Sequence, residues 1–168
     1  MVASQSAPWA GDWIWGVPLA IGNVLMHVVG LNLIGVFVLG DSLGVLRRRN
    51  DFADYLSVVA VTSLLTISLH AVESATWGTA YVLLGALGDQ KTAMLYSLEA
   101  MTTFGHSNIH LNPRWELLGA MEALQGMLLF GLTTAFLFAI FNEVTPLRNG
   151  RRIGLPADGG TIRKKRRS

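Results

Sequence analysis

The chain has 168 residues, of which 51% are hydrophobic and 14% charged, with a formal net charge of +2. A soluble domain of this size carries about a quarter charged residues, so the composition argues against one. The absence of cysteine excludes disulfides and thiolate metal sites.

In chain order, residues 1–16 read as a polar lead outside the membrane. Trp9, Trp13 and Trp15 there suit an outer interfacial belt. Residues 17–40 read as the first transmembrane helix, within a run from Trp13 to Gly40 that holds no Asp, Glu, Lys or Arg. No basic residue precedes Trp15 and the apolar run is long, so the segment reads as a mature helix rather than a cleaved signal. Asn23, His27 and Gly30 fall on one face, which is expected to pack against another helix, because a polar group facing lipid goes unpaired. A short basic link, Asp41 to Asn50, follows.

A second helix is expected to start at Asp51, with Asp54 in its first turn. Its span is placed at 54–87, with Glu73 the only charge between Tyr55 and Gly88. That run is about 50 Å of helix, so it must tilt, project from the membrane or bend near Gly78. His70, Glu73 and Trp77 share a face that is expected to meet the next, short helix. Structural bonding between neighbouring helices is the leading reading for them. The third long helix is placed at 113–142, capped by Asn112, opened by Pro113 and ending before Pro146. Its middle carries Glu122, which faces either the back of the short helix or a subunit boundary. Gly126 and Gly131 are either a bend point for gating or close-packing positions.

Residues 143–168 read as a basic cytoplasmic tail. Eleven of the 13 basic residues follow the first or third long helix, and only Lys91 and Arg114 lie elsewhere. The positive-inside rule then places the amino terminus outside and the carboxyl terminus in the cytoplasm of a plasma-membrane protein. The tail is expected to lie near anionic lipid and not to bind nucleic acid.

Between the second and third long helices, residues 91–108 hold a dozen good helix formers, with Ala93, Tyr96 and Ala100 on one face, and then Gly105-His106-Ser107-Asn108. Twelve helical residues cover only about 18 Å and cannot cross a bilayer. From the residues alone, either a re-entrant half-helix or an amphipathic surface loop fits. The run Ala93-Met-Leu-Tyr-Ser-Leu-Glu-Ala-Met-Thr-Thr-Phe-Gly-His-Ser-Asn108 resembles the pore helix and selectivity filter of the tetrameric potassium-channel superfamily. Tyr96, Ser97 and Glu99 match its aromatic-Ser-x-Glu portion, Thr102 and Thr103 its threonine pair, and Gly105 its first filter glycine. His70, Glu73, Trp77 and Tyr81 resemble the outer helix of small bacterial channels of this group. Glu122, Gly126, Gly131 and Ala135 resemble their inner helix. The likeness covers 54–141 and leaves out the first helix and the tail.

The resemblance implies an all-α integral membrane protein with three transmembrane helices, a re-entrant pore helix and a filter loop, forming a homotetramer around a central pore. Residues 51–142 would be the pore domain. The filter would comprise Thr102, Thr103, Phe104, Gly105, His106 and Ser107, with a monovalent cation at Thr103, Phe104 and Gly105. Glu99, Asn108 and Tyr96 would support it from behind. Potassium or sodium would be the permeant species, with no cofactor. Phe104, His106, Ser107 and Asn108 depart from the family's valine, tyrosine, second glycine and aspartate. A side chain at 107 disfavours the backbone conformations of a full filter, which implies reduced selectivity. His106 is either a titrating group at the outer mouth or a packed substitute for tyrosine, and His110 reads as a surface residue. The alternative reading is a non-conducting channel relative serving as a structural or sensory subunit. Enzymatic activity finds no support, since no metal constellation, nucleophile triad or phosphate loop is visible.

Overall fold

The computed structural model describes residues 9–49, 52–105 and 108–149, and side chains in all of these except 41–49, 54 and 145–149. The lead before residue 9, His106, Ser107 and the tail beyond residue 149 lie outside the described residues. Among the described residues, four α-helices run in the order α1 (Ala10–Arg49), α2 (Phe52–Leu83), α3 (Gln90–Met101) and α4 (Glu116–Asn149), with a 3-10 turn at Pro113–Trp115 before α4. Three stretches among the described residues are long and apolar enough to cross a membrane: Ala10–Gly40, Tyr55–Leu83 and Pro113–Val144. The fold is therefore all-helical and compatible with a membrane-embedded protein.

Contacts set the directions of the helices. Gly11 lies against Trp115, Gly16 against Leu118 and Met121, and Gly35 against Phe136, so α1 runs parallel to α4. Gly30 meets Leu69 and Tyr81 meets Glu122, so α2 runs antiparallel to both. The end of α1 at Arg49 and the end of α4 at Asn149 thus share one end of the bundle. The N-terminal end of α1 and the α2–α4 connection share the other.

Several boundaries differ from the sequence expectation. α1 begins at Ala10 inside the expected lead, contains Pro18, and continues through the expected link to Arg49. Apolar residues from Ile14 onward carry the helix through polar neighbours near its start. α2 stops at Leu83 rather than Leu87, without a break at Gly78. Its end is a Schellman turn: Gly85 sits at φ +66°, Ala86 N–H donates to the Tyr81 carbonyl at 2.8 Å and Gly85 N–H to the Val82 carbonyl at 3.0 Å. α4 starts after the 3-10 turn and passes Pro146 to Asn149. A proline removes one hydrogen bond and crowds the preceding turn, but the chain stays helical across both Pro18 and Pro146.

Lipid tails are as apolar as leucine, so tight packing and buried hydrogen bonds, rather than escape from water, hold such helices together. Two apolar clusters form the bundle core. One joins Trp77, Tyr81, Ala93, Tyr96, Ala100, Leu111, Trp115 and Leu118 at the α3 end. The other joins Ile34, Val38, Val58, Ile140 and Val144 toward the opposite end. Between them lies a polar layer of His27, His70, Glu73 and Thr133. The first of these four comes from α1, which is thereby keyed to both other long helices. Trp9, Trp13 and Trp15 are exposed at the α3 end, as an interfacial belt requires.

Candidate functional site

α3 is wedged between α2 and α4. Asp89 caps its start: the Asp89 carboxylate accepts from Thr92 N–H at 2.9 Å. Hydrogen bonds from the Thr92 hydroxyl and backbone, aided by Lys91, hold that carboxyl below its ordinary value. The expected face is buried, with Ala93 wholly and Tyr96 and Ala100 nearly so, joined by Ser97 and Met101. Three close approaches seat it. Gly78 packs against the main chain of Ala93 and Met94, Gly119 faces the Tyr96 hydroxyl, and Gly126 faces the main chain of Met101. A Cβ on Gly126 would lie 2.4 Å from the Met101 carbonyl oxygen, so Gly126 is a close-packing position. Gly131 has nothing within 4 Å of its would-be Cβ.

At the far end of α3 the chain leaves the helix. Thr102 caps it, its hydroxyl donating to the Leu98 carbonyl at 2.7 Å. Thr103 has φ +55° and Gly105 φ +89°. A left-handed threonine is uncommon because its branched side chain crowds the backbone. Thr102, Thr103, Phe104 and Gly105 are all exposed, Phe104 to 82%. The returning chain is tied down by Asn112, whose N–H donates to the Ala86 carbonyl at 3.1 Å, and by the buried Leu111. Asn112 also accepts from Arg114 N–H at 3.1 Å, opening the 3-10 turn as the expected cap.

The carboxylate behind α3 is Glu122, not Glu99. Glu122 is wholly buried and accepts from the Tyr81 hydroxyl at 2.5 Å and from the Ser97 hydroxyl. One side chain on α4 therefore ties α2 and α3 together. This answers which way Glu122 faces. Glu99 is half-buried, because its position on α3 lies beside, not on, the face carrying Ala93, Tyr96, Ser97 and Ala100. Asn108 is exposed. Tyr96 stands edge-on to Tyr81 at 5.2 Å between ring centroids. His110 is on the surface, as expected. His106 and Ser107 lie outside the described residues.

His70 and Glu73 do not meet α3 as the sequence suggested. Their part of α2 faces α1 and α4, and only the stretch around Ser74 to Tyr81 reaches the short helix. Ser74, one residue beyond Glu73, points to Met101 with its hydroxyl 3.0 Å from the sulfur. Glu73 Oε1 lies 2.7 Å from His27 Nδ1, and Glu73 Oε2 lies 3.0 Å from His70 Nδ1. Thr133 Oγ1 stands 3.0 Å from His70 Nε2 and 3.3 Å from His27 Nε2. The sequence displayed no metal constellation, yet His27, His70 and Glu73 each offer a ligand atom within 4.8 Å of the others. The pairing of His27 with Glu73 spans 46 positions and three helices meet there, so spacing along the chain carries no sign of it. The shared faces of Asn23 with His27 and of His70 with Glu73 were the available signals, and neither shows that the two faces meet.

Asp12, at the start of α1, is buried and accepts from Leu118 N–H at 3.2 Å in the first turn of α4. A carboxylate at a helix N-terminus is a favourable partner, and it fastens α1 to the α3 end of the bundle. No protein-family model matches this chain, and neither a curated protein nor a solved structure matches it.

Proposed function

We propose that this chain is one subunit of a passive monovalent cation channel of the pore-loop type, four copies of which surround a common axis. The observation that carries this reading is α3 itself: a 12-residue helix, too short to cross a bilayer, anchored to both long helices by Glu122 and running into the exposed, left-handed Thr102–Gly105 segment. Irregular backbone at membrane depth is tolerated only where protein buries it or it lines a watery path. In one isolated chain this segment faces open space, which is where neighbouring copies would complete a ring. The negative end of α3 and the carbonyls beyond it would then stabilise a partly dehydrated cation.

In this reading α3 is re-entrant and Thr102, Thr103, Phe104, Gly105, His106 and Ser107 form the filter. Tyr96 supports it from within the core, and Glu122 takes the bracing role that Glu99 and Asn108 have by resemblance. Gly131, with open space around it, is the better hinge candidate of the two helix glycines. The shared end of α1 and α4 is cytoplasmic, by the basic residues around 47–49 and 148–167. The substituted filter residues favour weak discrimination between potassium and sodium. Purified protein in liposomes should pass both ions; absence of flux with either would refute an open pore.

A second reading, a non-conducting subunit, is favoured by those same substitutions at Phe104, His106, Ser107 and Asn108. Restoring the family residues by His106→Tyr, Ser107→Gly and Asn108→Asp separates the two. Potassium flux gained only in the restored protein would support the second reading, and flux in the natural chain would exclude it.

A further inference from the structure

We propose that His27, His70 and Glu73 form a binding site for one divalent transition-metal ion of the zinc class, buried between α1, α2 and α4. The inference is independent of the channel reading.

Four contacts close a ring: Glu73 to His27, His27 to Thr133, Thr133 to His70, and His70 back to Glu73. Each contact needs one hydrogen. Two neutral imidazoles and one hydroxyl supply three in all, and an ionised carboxylate supplies none. The deficit falls on one contact. His70 Nδ1 and Glu73 Oε2 are 3.0 Å apart, yet neither makes a hydrogen bond. They are an imidazole nitrogen and a carboxylate oxygen, side by side and buried. His27 and Glu73 are wholly buried, and the His70 side chain is 12% exposed. With both imidazoles neutral the carboxylate has no counter-charge beside it, which is costly at such a place, so the ring has room for one cation, a proton or a metal ion.

The donor set selects which cation. Two imidazole nitrogens and a carboxylate are the ligands of borderline divalent metals, with metal–ligand distances of about 2.0–2.2 Å. Two ligands on such arms at a tetrahedral angle stand about 3.3 Å apart. The observed 2.7 Å and 3.0 Å pairs, one on each oxygen of Glu73, need to open by only about half an ångström, and all three ligand atoms already lie within 4.8 Å of one another. Thr133 supplies the outer support. Its two lone pairs can accept from both Nε2–H groups, which leaves both Nδ1 atoms unprotonated and turned toward Glu73. Histidines that bind metals characteristically donate their other ring N–H in this way. His27 reaches that state by moving its proton from Nδ1 to Nε2, with no net proton lost. The Thr133 hydroxyl hydrogen can then turn to a carbonyl one turn back, as Thr62, Thr66 and Thr134 already do. Phe130 stacks on His70 at 4.5 Å between ring centroids and fixes that ring. A bound ion would join all three long helices at the polar layer.

The test uses the full chain in detergent micelles, stripped with a chelator and then titrated with Co²⁺, whose visible absorption reports its coordination, with Zn²⁺ as competitor. Elemental analysis of the reloaded protein gives the stoichiometry. One ion per chain is expected, with a Co²⁺ band that Zn²⁺ displaces. Binding should be lost in Glu73→Gln and His27→Ala and kept in His110→Ala. Thr133→Val should bind about 10–100-fold more weakly, as loss of an outer-shell partner does. Helical circular dichroism checks each variant. If the ligand variants misfold, the wild-type spectrum and Thr133→Val carry the test. A folded wild-type chain that takes up no Co²⁺ overturns the proposal and leaves an added proton as the fourth link of the ring. Binding that survives Glu73→Gln, or disappears in His110→Ala, overturns it equally.

Discussion

Replacing Gly126 with alanine should force α3 and α4 apart. The added Cβ would sit 2.4 Å from the Met101 carbonyl oxygen, 2.7 Å from its Cα and 2.9 Å from its carbonyl carbon. Comfortable contact needs about 3.5–4.0 Å, so the overlap is about 1 Å and falls on main chain, which cannot rotate away. Overpacking of this kind costs about 1–3 kcal/mol. Alanine in mid-helix gains up to about 1 kcal/mol over glycine, which offsets part of that. Gly131→Ala provides the control, because it has the same helix-propensity gain and no atom within 4 Å of the new methyl. The difference between the two variants therefore isolates the contact and should be about 1–3 kcal/mol. Thermal unfolding in detergent, followed by circular dichroism, would register roughly 2–4 °C for each kcal/mol. Met101 leads directly into Thr102–Gly105, so Gly126→Ala should also alter cation flux relative to wild type. Equal stability for the two variants would refute the claim that Gly126 seats the short helix.

Other outcomes follow from the same packing. Glu122→Gln retains one acceptor for two hydroxyl donors, so Tyr81 or Ser97 faces an amide N–H; a loss of about 1–3 kcal/mol in unfolding measurements is expected. Gly85→Ala places a side chain at φ +66° and should cost about 1–2 kcal/mol in unfolding measurements, although no neighbouring atom is crowded. The Asp89 carboxyl is held below its ordinary value in the folded chain, so its cap contributes above the unfolded value of 3.8 and is lost as acid drives pH through the lower, folded one. Acid titration of wild type and Asp89→Asn should diverge in that range and coincide once the wild-type carboxyl is protonated.

The long helices were legible because stretches free of charge are what a bilayer requires, and the buried faces of α1 and α3 followed from the spacing of Asn23 with His27 and of Ala93, Tyr96 and Ala100. Helix ends were less so. The short basic stretch from Asp41 to Asn50 looked like a link, yet α1 continues through it to Arg49. The end of α2 was marked by Gly85, but an apolar run to Leu87 hid it. The partners of the buried acids were not legible. Glu99 and Glu122 look equivalent in sequence, and only the packing of α3 on α4 decides which one is enclosed. His27, His70 and Glu73 come from two helices brought together over 46 positions, and Thr133 adds a third helix, a meeting that no local pattern encodes.

The most direct test of the account is ion flux through the purified chain in liposomes, with potassium and then sodium as the only permeant cation. Flux with both is the result the proposed channel reading predicts, because Ser107 stands at the position of the family's second filter glycine. No flux with either ion would contradict the channel reading, whatever the stability of the fold.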